Sequence, residues 1–154
     1  MSDVKTEFLF DLTADLDREA TVNVGATPSG IRRIVYVKGG TIDGPKIKGV
    51  VLPGGGDWLT VRPDGASILD VRAAARTDDD HIIYICYRGI SIIPTEARQR
   101  MSNGEAIDPS EYYFRTTPVF ETASEKYSWL NRIVAVGIGR ITPTGVGYKI
   151  YAIL

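Results

Sequence analysis

What most limits the folds open to this chain is its punctuation. Short runs rich in Val, Ile, Tyr and Thr are cut by Gly, Pro and Asp-Gly at intervals that leave little room for long helices. The runs read as strands over Glu7 to Leu16, Thr21 to Val37 (broken at Thr27-Pro28-Ser29-Gly30), Lys46 to Leu52 and Asp57 to Arg62. They continue over Ala66 to Thr77, His81 to Gly89, Arg132 to Ile141 and Val146 to Leu154. Between them, Gly39-Gly40, Asp43-Gly44-Pro45, Pro53-Gly54-Gly55-Gly56, Pro63-Asp64-Gly65, Asp78-Asp79-Asp80 and Pro143-Thr144-Gly145 turn the chain. Helical signals are short: Thr95 to Met101, a Pro-led start at Asp108-Pro109-Ser110-Glu111, and a capping-box pattern at Thr122-Ala123-Ser124-Glu125. With about nine or ten strands, the prediction is an all-β antiparallel barrel with short helical turns; a two-sheet sandwich is the alternative.

Composition narrows the chemistry. The 154 residues fit one domain over 1–154 with an ample core, and 44% apolar with 24% charged residues is ordinary for a globule. A lone Cys86 permits no internal disulfide, and a lone His81 excludes multi-histidine metal sites. A formal net charge of −1 gives no electrostatic footprint for nucleic acid. Met1 to Thr6 lack the apolar core of a secretory signal, and no run is long enough to span a bilayer, so a cytoplasmic protein with no membrane partner is expected.

Several blocks carry a family resemblance. Gly39-Gly40-Thr41-Ile42-Asp43-Gly44-Pro45-Lys46-Ile47-Lys48-Gly49 and Leu52-Pro53-Gly54-Gly55-Gly56-Asp57-Trp58 resemble the domain-of-unknown-function 3237 family of small β-barrels. Leu69-Asp70-Val71-Arg72, Tyr113-Phe114-Arg115-Thr116, Phe120-Glu121-Thr122 and Tyr127-Ser128-Trp129-Leu130-Asn131-Arg132 follow in the same order. Two positions depart from the pattern: Gly56, where alanine is common, and Asp80, where glycine usually follows the acidic pair. The resemblance implies an antiparallel barrel, often a homodimer, without a cofactor or metal. Some members are described as cofactor-independent enzymes that add water to conjugated carbonyl compounds.

The candidate site residues are weighed on chemistry. Asp57 follows a triple glycine beside Trp58; a carboxylate against an aromatic wall is partly desolvated, which raises its pKa toward a general-base value, while a turn aspartate bonding its own backbone is the plainer alternative. Alternation along Ala66 to Thr77 puts Asp70 and Arg72 on one face and Leu69 and Val71 on the other. Either the polar face is exposed, or it lines a barrel lumen and the apolar face needs a partner's cover. Arg115 and Glu121 sit inside aromatic runs, where buried charges need partners. Arg32 and Arg33 point to opposite faces of their strand, and the family pattern favours Arg33 as the inward one. His81 and the Asp78–Asp80 run read as a solvated turn, Cys86 as a core residue, and most aromatic residues, Tyr84, Tyr87, Trp58 and Trp129 among them, as core with some lining a pocket.

Three functions follow. In a hydratase or lyase acting on a conjugated carbonyl compound, Asp57, or else Glu121, would deprotonate water. Arg72, Arg115 or Arg33 would stabilise the developing oxyanion, and Tyr84 would return a proton to carbon. Trp58, Trp129, Asp70 and Arg33 would bind the small molecule. The alternatives are a non-catalytic barrel holding a small apolar ligand, and a dimeric scaffold. A carboxylate open to a cavity favours the enzyme; a barrel filled by its own side chains favours the scaffold.

Overall fold

The computed structural model describes residues 3–154. Nine antiparallel strands form one sheet: β1 Thr6–Thr27, β2 Gly30–Asp43, β3 Lys48–Val51, β4 Gly56–Val61, β5 Ser67–Thr77, β6 Ile82–Ile92, β7 Tyr113–Glu121, β8 Val134–Ile141 and β9 Gly145–Ile153. Pairing of β1 with both β2 and β9 closes the sheet on itself, which excludes the sandwich. Both β3 and β4 lie between β2 and β5, so they are two halves of one stave, and the ring is an eight-stave barrel.

The break in that stave is Leu52-Pro53-Gly54-Gly55. Gly54 takes a positive φ of 106°, and a Cβ on Gly55 would stand 2.5 Å from the Arg72 carbonyl oxygen. Only glycine lets the chain hug β5 this closely while it re-enters the barrel at Asp57. The hairpin at Asp78-Asp79-Asp80 shows why glycine is usual at its third position, since Asp80 adopts φ 65°.

Alternation decides what faces inward. Phe10, Leu12 and Ala14 of β1, Leu69, Val71 and Ala75 of β5, Ile83, Ile85 and Tyr87 of β6, and Tyr148, Ile150 and Ala152 of β9 are all buried. One end of the barrel is sealed by the turn of 3₁₀ helix over Ser128–Arg132, whose Leu130 is fully buried, with Tyr127 beside it. Asn131 fixes this plug by accepting from the Thr122 amide and donating to the Thr122 carbonyl. No helix starts at Thr122-Ala123-Ser124-Glu125: the Thr122 hydroxyl accepts from the Ser124 amide in a local turn instead. The short helix α1, Thr95–Ser102, and the 3₁₀ turn Pro109–Glu111, capped by Asp108 onto the Ser110 amide, occur where the sequence signals place them.

At the other end, β1 runs on past its pairing with β9 while β2 stays in the sheet, paired with β4 up to Ile31–Val61. The pairing of β1 with β9 ends at Asp15–Gly145, whereas its pairing with β2 continues to Thr27–Gly30, through irregularities near Asp17 to Gly25. Among the described residues no helix is long and apolar enough to cross a membrane.

Candidate functional site

Just inside that open end lies a cavity of about 180 Å³. Its wall is the inward row of successive strands: Ala14 and Leu16, Val35 and Val37, Asp57 and Leu59, Ser67, Leu69 and Val71, Tyr87 and Ser91, Val146 and Tyr148, with Phe114 from β7. An apolar cavity of roughly 150 Å³ accommodates benzene, so this one takes a single ring with a substituent. Aromatic packing shapes one side of it. Tyr148 stacks on Phe114 with ring centres 5.4 Å apart and meets Tyr87 edge-on at 5.1 Å. Phe114 reaches its place because Gly139 on the neighbouring β8 has no side chain to oppose it.

Asp57 is the one residue with a charged side chain in this wall. Its position follows from an irregular ladder. The pairing of β4 with β5 runs Gly56–Arg72 and Asp57–Val71, skips two pairs, and resumes at Thr60–Ile68. In the gap, the Asp57 Oδ1 accepts a 2.9 Å bond from the Asp70 amide, and the Trp58 carbonyl accepts a 2.8 Å bond from the Arg32 guanidinium. The carboxyl is thereby fixed by backbone while remaining in the cavity wall. Burial pushes its pKa from 3.8 up to about 6; the Asp70 charge adds to the rise, against the Asp70 amide bond and Arg32, which lower it. Burial likewise pushes the phenols of Tyr87 and Tyr148 upward. Both phenols also feel the Asp57 charge. One carboxyl that titrates near neutrality and two neutral phenols thus share an apolar, benzene-scale space.

The raised carboxyl has a cost in stability. Its folded pKa exceeds its unfolded one, so its contribution is fully present below pH 3.8 and is lost as pH rises through about 6. A two-unit rise is worth about 3 kcal/mol at full burial, and with the mouth open to water the expected loss between pH 4 and pH 8 is on the order of 2 kcal/mol. Urea unfolding across that range, referenced to Asp57→Asn, measures it; parallel pH profiles for the two proteins would refute the perturbed carboxyl.

The other predicted residues fall elsewhere. Asp70 and Arg72 are on the outer face, their side chains 3.6 Å apart, because the apolar Leu69 and Val71 take the lumen. The idea of a polar lumen is therefore corrected, and Leu69 and Val71 are covered by the barrel itself. Trp58 is also on the outer row and forms no cavity wall; Arg72 lies 5.8 Å over its ring. Arg115 points outward over Tyr113, at 4.9 Å, and donates to the Phe114 carbonyl rather than to a carboxylate. Glu121 and Tyr84 are exposed partners across the β6–β7 ladder, on the outer face, and neither lines the cavity. Trp129 belongs to the plug at the sealed end, with Lys46 over its ring. Arg33 stands on the inner row of β2, one step outward from Val35, and is exposed. Cys86 is half-buried, and His81 lies 3.8 Å from Asp79 at the hairpin.

Tyr148 went unnoticed in the sequence, and Tyr87 was not separated from Tyr84. Alternation with Ile83 and Ile85, and with Val146, Ile150 and Ala152, carries the signal that both are inward.

Comparison with known proteins places this barrel. The family model described as a protein of unknown function, DUF3237, matches residues 4–153. The chain belongs to that family. A UPF0311 protein of Clostridium acetobutylicum is 37% identical over 153 residues, spanning 99% of this chain and 96% of the relative. The crystal structure of a conserved protein of unknown function from Rhodopseudomonas palustris superposes with a TM-score of 0.92 at 32% identity, with both chains fully covered. A more distant relative, the hydroalkoxylation enzyme phnH of Penicillium herquei, is 30% identical over 132 residues, 85% of this chain and 71% of that protein.

Proposed function

We propose that the protein adds an O–H group across a carbon–carbon double bond conjugated to a carbonyl, or catalyses the reverse elimination, inside the open end of the barrel. The observation that carries this reading is Asp57: a backbone-fixed carboxyl with a pKa raised to about 6, facing a cavity beside two protonated phenols. A carboxylate open to a cavity is what an enzyme needs and what a side-chain-filled scaffold would lack. The name of the Penicillium relative supports the same reaction type, since hydroalkoxylation is addition of an alcohol O–H across a double bond, and hydration is its counterpart with water.

The chemistry asked of the side chains is proton transfer. The Asp57 carboxylate takes the proton of the attacking water or substrate hydroxyl as its oxygen bonds to the β-carbon. The π electrons move to the carbonyl oxygen, giving an enolate. Tyr87 and Tyr148, held neutral by burial, donate hydrogen bonds toward that oxygen without being ionised themselves. The Asp57 carboxylic acid then delivers its proton to the α-carbon, and the enzyme returns to its starting state. A pKa near 6 suits a group that must both accept and release a proton near neutral pH.

This assignment replaces Tyr84 by the lumenal tyrosines and leaves Arg72, Arg115 and Glu121 out of the reacting space. A screen of single-ring enones, unsaturated lactones and alkenyl phenols in deuterated water tests it. Turnover with deuterium at the α-carbon is expected, and oxygen-18 from labelled water where water is the nucleophile. Absence of exchange and turnover across the panel would leave a binding barrel as the better account. Tyr148→Phe, which removes one hydroxyl and keeps the ring packing, is expected to lower kcat by roughly 10- to 100-fold with little effect on folding. An unchanged kcat would exclude Tyr148 from oxyanion stabilisation.

A further inference from the structure

Arg33 differs from Arg62 and Arg98, two other cations toward this end of the barrel, in having no partner among the described residues. Arg62 is paired with Asp64, and Arg98 donates to the Ile93 and Gly65 carbonyls. For Arg33 no side-chain hydrogen bond or ion pair occurs among the described residues. Its cross-strand neighbours are Asn23 on β1 and Leu59 on β4, neither of them a carboxylate. It shares the inner row with Val35, whose β4 partner is Asp57, and Leu59 beside it lines the cavity. Two residues of strand put it roughly 7 Å outward of the Asp57 level. The site is therefore polarised along its axis: an apolar chamber with one titrating carboxyl inside, and an unpaired guanidinium on an apolar rim outside.

We propose that Arg33 is a specificity residue that holds an anionic end group, so that the ligand is a single-ring or similarly compact apolar body carrying a carboxylate or comparable anion at the mouth. The inference rests on the cavity being the binding site, as proposed above, and adds which molecules enter it. Arg33 borders an apolar rim, with Leu59 as its cross-strand partner and Val35 next on its row, and its guanidinium offers a two-pronged donor edge matching a carboxylate. The interior, by contrast, contains no lining cation to offset a buried anion, so the charged end is held outside and the neutral body goes in. One carboxylate of the hairpin, Asp17, is turned away from Arg33. Asp17 accepts from the Ala20 amide, and its partner on β2 is Tyr36, on the row opposite to that of Arg33.

Calorimetric titration of the full chain with trans-cinnamate and with cinnamamide, its neutral isostere, at pH 7 and low salt separates the two ends of the site. Wild type is expected to bind cinnamate about five- to tenfold more tightly than the amide, with the preference shrinking as salt is raised. Arg33→Ala is expected to erase the preference and leave amide affinity unchanged, while Arg33→Lys keeps part of it. Equal affinities in wild type, or a preference that survives Arg33→Ala, overturn the role of Arg33 while amide binding still reports an intact chamber. Failure of both compounds to bind at millimolar concentration overturns this inference together with the cavity reading beneath it.

Discussion

Asp57→Asn is expected to lower turnover of a productive substrate by about 10³-fold while the barrel remains folded. The substitution is close to isosteric, and the amide oxygen can still accept from the Asp70 N–H that fixes the carboxyl in the wall. What disappears is the capacity to take a proton and return it. Because the same change removes a carboxyl that ionises unfavourably in its buried setting, the variant gains stability above pH 6 as it loses activity. That opposite movement separates loss of chemistry from loss of fold. Steady-state kinetics beside urea unfolding at pH 8 reads both, and a variant retaining wild-type kcat would remove Asp57 from the mechanism.

Gly139→Ala is expected to destabilise the protein by about 3 kcal/mol, close to the upper end for overpacking a core. A Cβ at this position would lie 1.3 Å from a ring carbon of Phe114, far inside contact distance, so the ring must move. It has little room to do so, stacked as it is on a fully buried Tyr148. The shift would push into the cavity, so ligand affinity should fall along with the denaturant midpoint. A midpoint within experimental error of wild type would show that β7 and β8 can separate there. These strands pair in just two places, Arg115–Ile138 and Thr116–Gly137, which makes that outcome a real alternative.

The fold was legible because its signals are local. Most turn residues stand where the chain reverses, and the Val, Ile and Tyr alternation marks most of the strands; the exceptions are Gly39-Gly40, which lies within β2 beside the irregularity at Asp15 and Leu16 instead of turning the chain, and β7, which the alternation leaves unmarked. The site was less so. Asp57 could be singled out from its glycine context, but its partners could not, since which face of β5 is inner depends on closure of the sheet. With Leu69 and Val71 inside, Asp70 and Arg72 must be outside, which is the exposed-face alternative of the two that alternation allows and removes both from the site. Arg115 and Glu121 drew attention as charges within aromatic runs, yet the aromatic neighbours alternate too: Phe114 and Phe120 face in, while Tyr113 faces out. The extent of β1 was also hidden, because the break at Thr27-Pro28-Ser29-Gly30 is the tip of a β1–β2 hairpin whose β1 arm continues well past its pairing with β9.

The free edge of β1 bears on what the barrel offers to a foreign strand. A closed ring has no terminal strand to offer, but beyond Leu16 the outer side of β1 has left β9 behind and presents unbonded backbone. The irregular stretch from Asp17 to Val22 interrupts the flat edge at that point and sets Asp17, Arg18 and Glu19 along it. A foreign strand would meet a bend and three charges before it met a continuous row of amides. An interrupted, charged edge of this kind is a poor template for aggregation.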